Sequence, residues 1–445
     1  MKVPGIRKCY SLLMVLIGLL VVVPYPVKVM GDEVAGVREV ITGKANLPTI
    51  EQLTGGKVKK GDLIDKSNVD LVKEYLTPGI LGSINMGLVL RMGTQLALNQ
   101  QYPKAFAEAT KKNMGKAVMD ENGTAYYENI GVLWPGGVPF TNPKNGLEVM
   151  ANVKFGWVTD THRNYPNSFL LINSKGKVYK TIHNDQRFLK CTTRTCIPPF
   201  GSIPGYENIL WMRISVMRGP LELKGLGQYS IRYYNDSKDY DTGFAYLPAF
   251  KRTIRTSATT WQDNMAGSDC TYGDGMGFLE PFKDWDFKLT ESRFILLPEP
   301  KSPFPALDKK GKMDKRLEFD VGVKFPRFGW AIYPVHVVEA IPKIKHIYGK
   351  KMLYVLAWPY WAVITPIGIS EMYDRQMNLW KYYCSYRGYH YYDGDDPYTG
   401  EWGLMMPDLQ TDHMTHMWYL AKANTPDVHW KTDDFSFKKL LELGR

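Results

Sequence analysis

Apolar residues recur along the chain at two different periods, and the change of period divides it. Between residues 68 and 113, Ile80, Ile84, Leu88, Met92 and Leu96 fall every fourth residue, the spacing that lines one face of a helix. Gly82, Gly87 and Gly93 weaken such a helix, each by up to about 1 kcal/mol relative to alanine. Asn85 and Arg91 speak against a membrane span, so the pattern predicts an amphipathic helix packed on the domain. A second, shorter helix is expected over 144–155. Beyond it the period shortens to that of strands. Runs at 168–172 and 177–182 flank Asn173-Ser174-Lys175-Gly176, a hairpin signal. Further β-rich runs occupy 208–217, 228–234, 243–247, 285–297, 330–340, 345–356, 361–373 and 379–386. Many short strands with hairpin-length links indicate a meandering antiparallel sheet, closed or half closed.

Two of these strands do not alternate. Residues 351–358 (KMLYVLAW) and 379–386 (LWKYYCSY) are apolar or aromatic on both parities, so each must have apolar material on both faces. A helix on one face with a second sheet or lid on the other satisfies this. So does a half-barrel whose concave face encloses an apolar ligand. The order of segments is then a lead-in at 32–67, a helical part at 68–160 that packs on the sheet, a β domain at 161–430 and a tail at 431–445. The stretches at 183–205 and 298–315 are expected as insertions at loop tips.

Residues 1–31 have the composition of a secretory signal peptide. Lys2, Arg7 and Lys8 precede an uncharged run of thirteen, SLLMVLIGLLVVV, which is short for a bilayer span, and small residues at Gly31 and Gly36 offer cleavage points. An uncleaved anchor is the alternative. Loss of the segment's four cations takes the formal charge from +11 to +7, a balance suited to solubility or to anionic surfaces and without a nucleic-acid signature. Four cysteines follow the leader. Cys191 and Cys196 bracket Thr-Thr-Arg-Thr, a spacing that favours a structural disulfide closing a small loop, and Cys270 with Cys384 leaves the other pairings open.

Signs of catalysis are sparse. There is no Gly-x-Ser-x-Gly elbow, phosphate loop or dinucleotide motif. Asp269, Asp274, Asp284 and Asp286 lie close enough for acid/base or metal chemistry, although turn formation explains them equally. His413 and His416 share a face only if they are helical; on a strand their odd spacing separates them. No metal and no cofactor is therefore expected. The basic block 251–256 places Lys251, Thr253 and Arg255 on one side of a strand and Arg252, Ile254 and Thr256 on the other. Arg252 or Arg255 is then a candidate to hold a lid or an anionic head group at a cavity mouth. A solvated edge strand is the alternative.

Several ordered blocks over residues 68–418 resemble a known family. They are Leu76-Thr77-Pro78-Gly79; Tyr102-Pro103 with Glu108-Ala109-Thr110; Gly137-Val138-Pro139-Phe140; and Ala245-Tyr246-Leu247-Pro248 with Lys251, Arg252 and Arg255. Gly267-Ser268-Asp269 with Asp274 and Gly277-Phe278, then Val337-Val338-Glu339-Ala340, then Tyr373-Asp374 with Leu379-Trp380-Lys381, continue the series. Together they resemble an uncharacterised family of exported bacterial proteins commonly described as outer-membrane lipoprotein-sorting proteins and grouped with LolA/LolB. Gly273-Asp274-Gly275 departs from the adjacent acids of that family, and Ala357-Trp358-Pro359 replaces its acidic turn.

The resemblance implies a LolA-like fold, a strongly curved antiparallel sheet with helices covering its concave side. It also implies a periplasmic carrier of a lipid-like or apolar molecule, with an inner-membrane exporter and an outer-membrane protein as possible partners and no nucleic acid. Trp211, Ile231, Tyr233, Tyr246, Ile332, Leu353, Tyr354 and Trp380 are the cavity-lining candidates, to be displaced if they lie in solid core. Two alternatives stand beside the carrier: a structural or chaperone subunit of an envelope complex, and a metal-dependent hydrolase built on Asp269, Asp274 and His413.

Overall fold

The computed structural model describes residues 36–444 apart from 94–102, 238–239, 257–260, 300–323, 326–327, 361–365, 391–397 and 425–427. The leader at 1–31 and most of the 298–315 stretch lie outside the described residues. The helices are α1 (Val37–Ile41), α2 (Ile50–Leu53), α3 (Pro78–Asn85), α4 (Lys104–Asn113), α5 (Gly146–Phe155) and α6 (Phe437–Gly444). Short strands β1 (Leu63–Ile64), β2 (Leu90–Met92), β3 (Ala117–Met119) and β4 (Ala125–Tyr127) precede the first long ones, β5 (Thr161–Ile172) and β6 (Val178–Lys190). Then come β7 (Thr192–Arg194), β8 (Gly201–Ser202), β9 (Ile209–Gly219), β10 (Gly227–Tyr233), β11 (Thr242–Leu247) and β12 (Arg252–Thr256). The last group is β13 (Trp285–Glu299), β14 (Gly329–Pro342), β15 (Lys350–Leu356), β16 (Ile367–Tyr373), β17 (Leu379–His390), β18 (Tyr398–Asp408) and β19 (His413–Ala423).

The long strands form one open antiparallel sheet. Its order runs β13-β14-β15-β16-β17-β18-β19-β5-β6-β9-β10-β11-β12, with β2 added in parallel at the start of β14. The β19–β5 pairing welds the two halves of the chain, with Met414 opposite Ile172 and Trp418 opposite Ser168. β12 and β13 are the outer strands, yet they follow one another in sequence. The link between them, 257–284, therefore has to pass from one side of the sheet to the other. Its described part, 261–284, lies across the face on which α5 also packs: Phe278 and Phe282 share a core with Val149 and Met150 of α5 and with Val338, Leu353, Val355 and Tyr383 of the sheet.

This explains why 351–358 and 379–386 do not alternate. Leu353 and Val355 face the crossing segment, whereas Tyr354 and Leu356 face a second core that contains Val37, Ile80 and Ile84 of the N-terminal helices. The expected long helix over 68–113 is instead two. Gly87 has φ +104°, which a right-handed helix cannot continue, so α3 stops at Asn85 and the chain goes on into β2. α3 starts at Thr77, whose side chain accepts from Ile80 N, and the buried Glu371 of β16 accepts from Gly79 N at 2.5 Å. α5 is capped by Asn145, whose Oδ1 accepts from Glu148 N at 2.9 Å. The 173–176 hairpin forms as its residues require, with Gly176 at φ +69° and Asn173 Oδ1 accepting from Lys175 N and Lys177 N.

The expected Cys191–Cys196 bridge is not formed. Cys191 is buried under β9 and β10, and burial pushes its thiol up to about 12. Cys196 points toward Val158 O, 3.6 Å away. The loop between them is held by a carboxylate: Asp160 accepts from the backbone N–H of Thr195, Cys196 and Ile197 and pairs with Lys190 Nζ at 3.2 Å.

What fastens the crossing segment is a buried ionic cluster. Lys351 of β15, 0% exposed, places Nζ 2.7 Å from Glu280 and 3.0 Å from Asp274. Tyr348 OH donates to Asp274 at 2.7 Å, Lys381 of β17 approaches it at 3.7 Å, and His346 Nε2 lies 2.8 Å from Glu280. Burial opposes the charge on Asp274, but Lys351, Lys381 and the Tyr348 hydroxyl together hold its pKa well below the carboxylate range. Removing one member of such a pair strands its partners without water. Lys351→Met is therefore expected to destabilise the protein by about 3–5 kcal/mol in urea unfolding; a loss under 1 kcal/mol would contradict the assignment.

β19 is a strand, so His413 and His416 point to opposite faces. His416 is fully buried between Tyr386 OH (2.7 Å) and Lys324 O (2.8 Å), and burial lowers its pKa to about 4. Between about pH 4 and the ordinary 6.5 the unfolded chain binds a proton there that the folded chain does not, so this group's contribution is present above 6.5 and is lost as the pH falls through that window. A His416→Gln variant should show a shallower fall in thermal midpoint than the parent from pH 6.5 to pH 4. Parallel curves would show that His416 does not titrate as its burial dictates.

Candidate functional site

Strands β9 and β10 alternate, but in the sense opposite to a one-sided sheet. On β9, Met212, Ile214 and Val216 point outward, and on β10 Tyr229 and Ile231 do the same; Leu440 of α6 and Phe435 cover them from outside. The amphipathic α6 thus takes the apolar parity and leaves the polar parity for the inner face. Arg213 and Ser215 of β9, Gln228 of β10, Asn184 and Gln186 of β6 and Asn164 and Asn167 of β5 all face inward.

Between this inner face and the crossing segment lies a cavity of about 570 Å³. That is within the span of small-molecule sites, about 300–1,000 Å³. Its wall has two chemistries. The amides and Arg213 form one region. Phe169, Met217, Leu226, Leu404 and Met417 form another, and the crossing segment closes over both with Met265, Met276 and Leu279. Leu247, Ile254 and Arg255 of β11 and β12, with Asp263, complete the border.

The electrostatics of the polar region are uneven. Arg232 is neutralised by Asp241, bonding it through Nε at 3.1 Å and Nη2 at 3.0 Å. Lys154 of α5 is paired with Asp236 at 2.8 Å. Arg213, 5% exposed, hydrogen-bonds among the described residues only to neutral acceptors, Ser230 Oγ and Gln228 Oε1, each at 3.3 Å, with Asp241 attracting it from beyond ion-pair distance. Burial lowers its pKa to about 10, which still leaves it charged at neutral pH.

The sequence-based cavity candidates fall elsewhere: none of the eight borders this cavity. Trp211 is packed edge-on against Trp157 and Phe188. Ile231 and Tyr246 lie under α6, and the Tyr233 hydroxyl is 3.1 Å from Thr242 Oγ1. Ile332 and Tyr354 belong to the core beneath the N-terminal helices, and Leu353 to the opposite one. Trp380 Nε1 donates to Asp408 at 2.9 Å. Of the two arginines, Arg255 borders the cavity and Arg252 does not. On β10 and β11 the large apolar side chains occupy the parity that faces outward, and the sequence feature that marks this is the apolar stripe of 437–444, which has to cover a sheet face.

The acids named for chemistry are dispersed. Asp274 is held by Lys351 and Lys381, while Asp269 accepts from Thr415 Oγ1 at 2.7 Å and lies 2.8 Å from His413 Nδ1. His413 Nε2 is in turn 2.8 Å from the Tyr179 hydroxyl. The hydrogen bond to Asp269 raises the pKa of His413. This chain of contacts ties the crossing segment to β19 and β6. Among the described residues no group of three or more His, Cys, Asp or Glu is arranged to hold a metal ion.

No curated protein matches the chain. Solved structures to which the chain is similar include a domain described as an outer membrane lipoprotein-sorting protein from Vibrio parahaemolyticus, 20% identical over 66% of this chain and 98% of that one, at a TM-score of 0.43. A DUF1329 family protein from Desulfovibrio piger is 15% identical over 63% of this chain and 92% of its own, at 0.41. A LolA superfamily protein from Nitrosomonas europaea is 11% identical over 67% of this chain and 100% of its own, at 0.37. Likenesses at these scores carry nothing about what the present chain binds. The family model described as "Protein of unknown function (DUF1329)" matches residues 63–440, and the chain belongs to that family.

Proposed function

We propose that the protein is a carrier or binding protein for a lipid-like or other apolar molecule, working in the periplasm after export by its N-terminal segment. The observation that carries this reading is the cavity itself, about 570 Å³ between the sheet and the crossing segment, with Phe169, Met217, Leu404 and Met417 in its wall. Each methylene buried against such a wall contributes roughly 0.8 kcal/mol, so affinity needs no catalytic group. The outer strands β12 and β13 leave the sheet open, and β12 borders the cavity through Ile254 and Arg255. No helix among the described residues is long and apolar enough to cross a membrane.

A second reading is favoured by the turns near this border. Phe250, 71% exposed, and Leu221, 86% exposed, lie on turns that meet, since a Cβ at Gly225 would stand 3.1 Å from Pro248 Cγ. Apolar tips of this kind suit contact with a partner of the envelope, an exporter or an outer-membrane protein. The carrier reading predicts that native mass spectrometry of protein purified gently from its natural host shows a defined adduct, which organic extraction releases as an apolar small molecule. A bare mass, with a stoichiometric protein partner instead, would move the function to the docking role.

A further inference from the structure

The polar region of the cavity is too specific for a chamber that holds only hydrocarbon. Two guanidinium groups, Arg213 and Arg232, face one carboxylate, Asp241, and Arg232 takes it with two hydrogen bonds. Arg213 is left as a buried cation whose bonds go to the neutral Ser230 and Gln228, with no ion pair to it among the described residues. Its flanks are aromatic, with the Trp211 and Phe188 ring centroids 5.8 and 5.9 Å from the guanidinium carbon. Two strands away on β5, level with Ser215 and Met217 of β9, Asn164 and Asn167 are 3% and 1% exposed, and the Oδ1 atom of each is buried without a hydrogen-bond partner. Asn164 spends its amide on Gln186 Oε1 at 3.2 Å. Buried charges and buried carbonyls are ordinarily satisfied, so one unneutralised guanidinium and two orphaned acceptors bordering one cavity define a site with a vacancy of stated chemistry. It calls for an anionic oxygen to accept from Arg213 and, further along the cavity, a hydroxyl or N–H to donate to the asparagines.

We propose that the cargo is a single-chain or similarly slender amphiphile with an acidic head, carboxylate or phosphate, seated on Arg213, its tail lying along Phe169, Met217, Leu404 and Met417. This deepens the carrier reading and rests on it. Guanidinium recognises both oxyanions with paired N–H donors, and the rest of the polar floor, Asn184, Gln186 and Ser215, is neutral. The carboxylate bordering the cavity, Asp263, is exposed to solvent. A head without charge would leave Arg213 buried with no ion pair when the cavity is filled, since Asp241 is bonded by Arg232.

The test separates the head from the tail. The full-length mature protein is titrated with N-phenylnaphthylamine, a neutral apolar fluorophore, and the bound dye is displaced at neutral pH by dodecanoate, dodecyl phosphate or methyl dodecanoate. At least one of the two anions is expected to displace the dye at a concentration about ten- to a hundredfold below that of the ester. The stronger of the two identifies the head as carboxylate or phosphate. In Arg213→Gln the anions lose that advantage while dye binding is retained. If dye binds the parent but ester and anions compete equally, the acidic head is overturned and the carrier survives. If neither dye nor competitor binds, the carrier reading falls and this inference with it. The comparison of anion and ester in the parent decides the matter even if the variant does not fold.

Discussion

Lys351 has no exposure to solvent, and its ammonium sits between two carboxylates of a segment that belongs to neither neighbouring strand. The sheet's order makes this contact necessary. Because β12 and β13 are consecutive in the chain but outermost in the sheet, 257–284 has to travel across a face, and a traversing loop has few backbone partners to fix it. Asp274 and Glu280 supply the fixing through β15, with Lys381 adding a second cation from β17. Around this ionic knot Phe278 and Phe282 pack against Leu353 and Tyr383, and Met265 and Ala266 pack against Phe169, Leu171 and Ile182, with the cavity lying between the segment and the inner face of the sheet. Buried ion pairs add little to net stability compared with apolar packing, but they tolerate few alternative arrangements. Here the arrangement sets the distance between roof and floor.

Much of the architecture was legible in the residues. The two-sided apolarity of 351–358 identified strands sandwiched between layers, and the layers are the N-terminal helices and the crossing segment. Asn173 to Gly176 specified a hairpin because a residue with φ +69° is needed there and glycine supplies it. The odd spacing of His413 and His416 separated them once the segment proved to be a strand. Other features depended on distant partners. The every-fourth-residue pattern of 80–96 was carried through Gly87, where a positive φ breaks the helix, and Leu90–Met92 found sheet partners in β14 instead. Local spacing suggested a Cys191–Cys196 bridge, whereas Asp160, more than thirty residues upstream, organises that loop.

The site was the least legible part, for a reason that is physical. A cavity for an apolar cargo suggests apolar side chains, so Ile231, Tyr233 and Tyr246 were natural candidates. The apolar parity of β10 and β11 instead faces outward, because α6 returns at the end of the chain to cover it. The inner parity of β9 and β10 then carries Arg213, Ser215 and Gln228, residues that single-sequence reasoning assigns to solvent. The chamber combines an amide-lined region bearing an unneutralised guanidinium with a wall of methionine, leucine and phenylalanine. Such a division matches a molecule that is itself divided.

The most direct test of this account is a crystal structure of the protein with a bromine-tipped dodecanoate, read from the anomalous signal of the bromine. The account predicts one strong bromine peak inside the cavity, against Leu404 and Met417, with the carboxylate density at Arg213. Bromine bound only on the outer surface, with the chamber between sheet and crossing segment filled by ordered water, would contradict it.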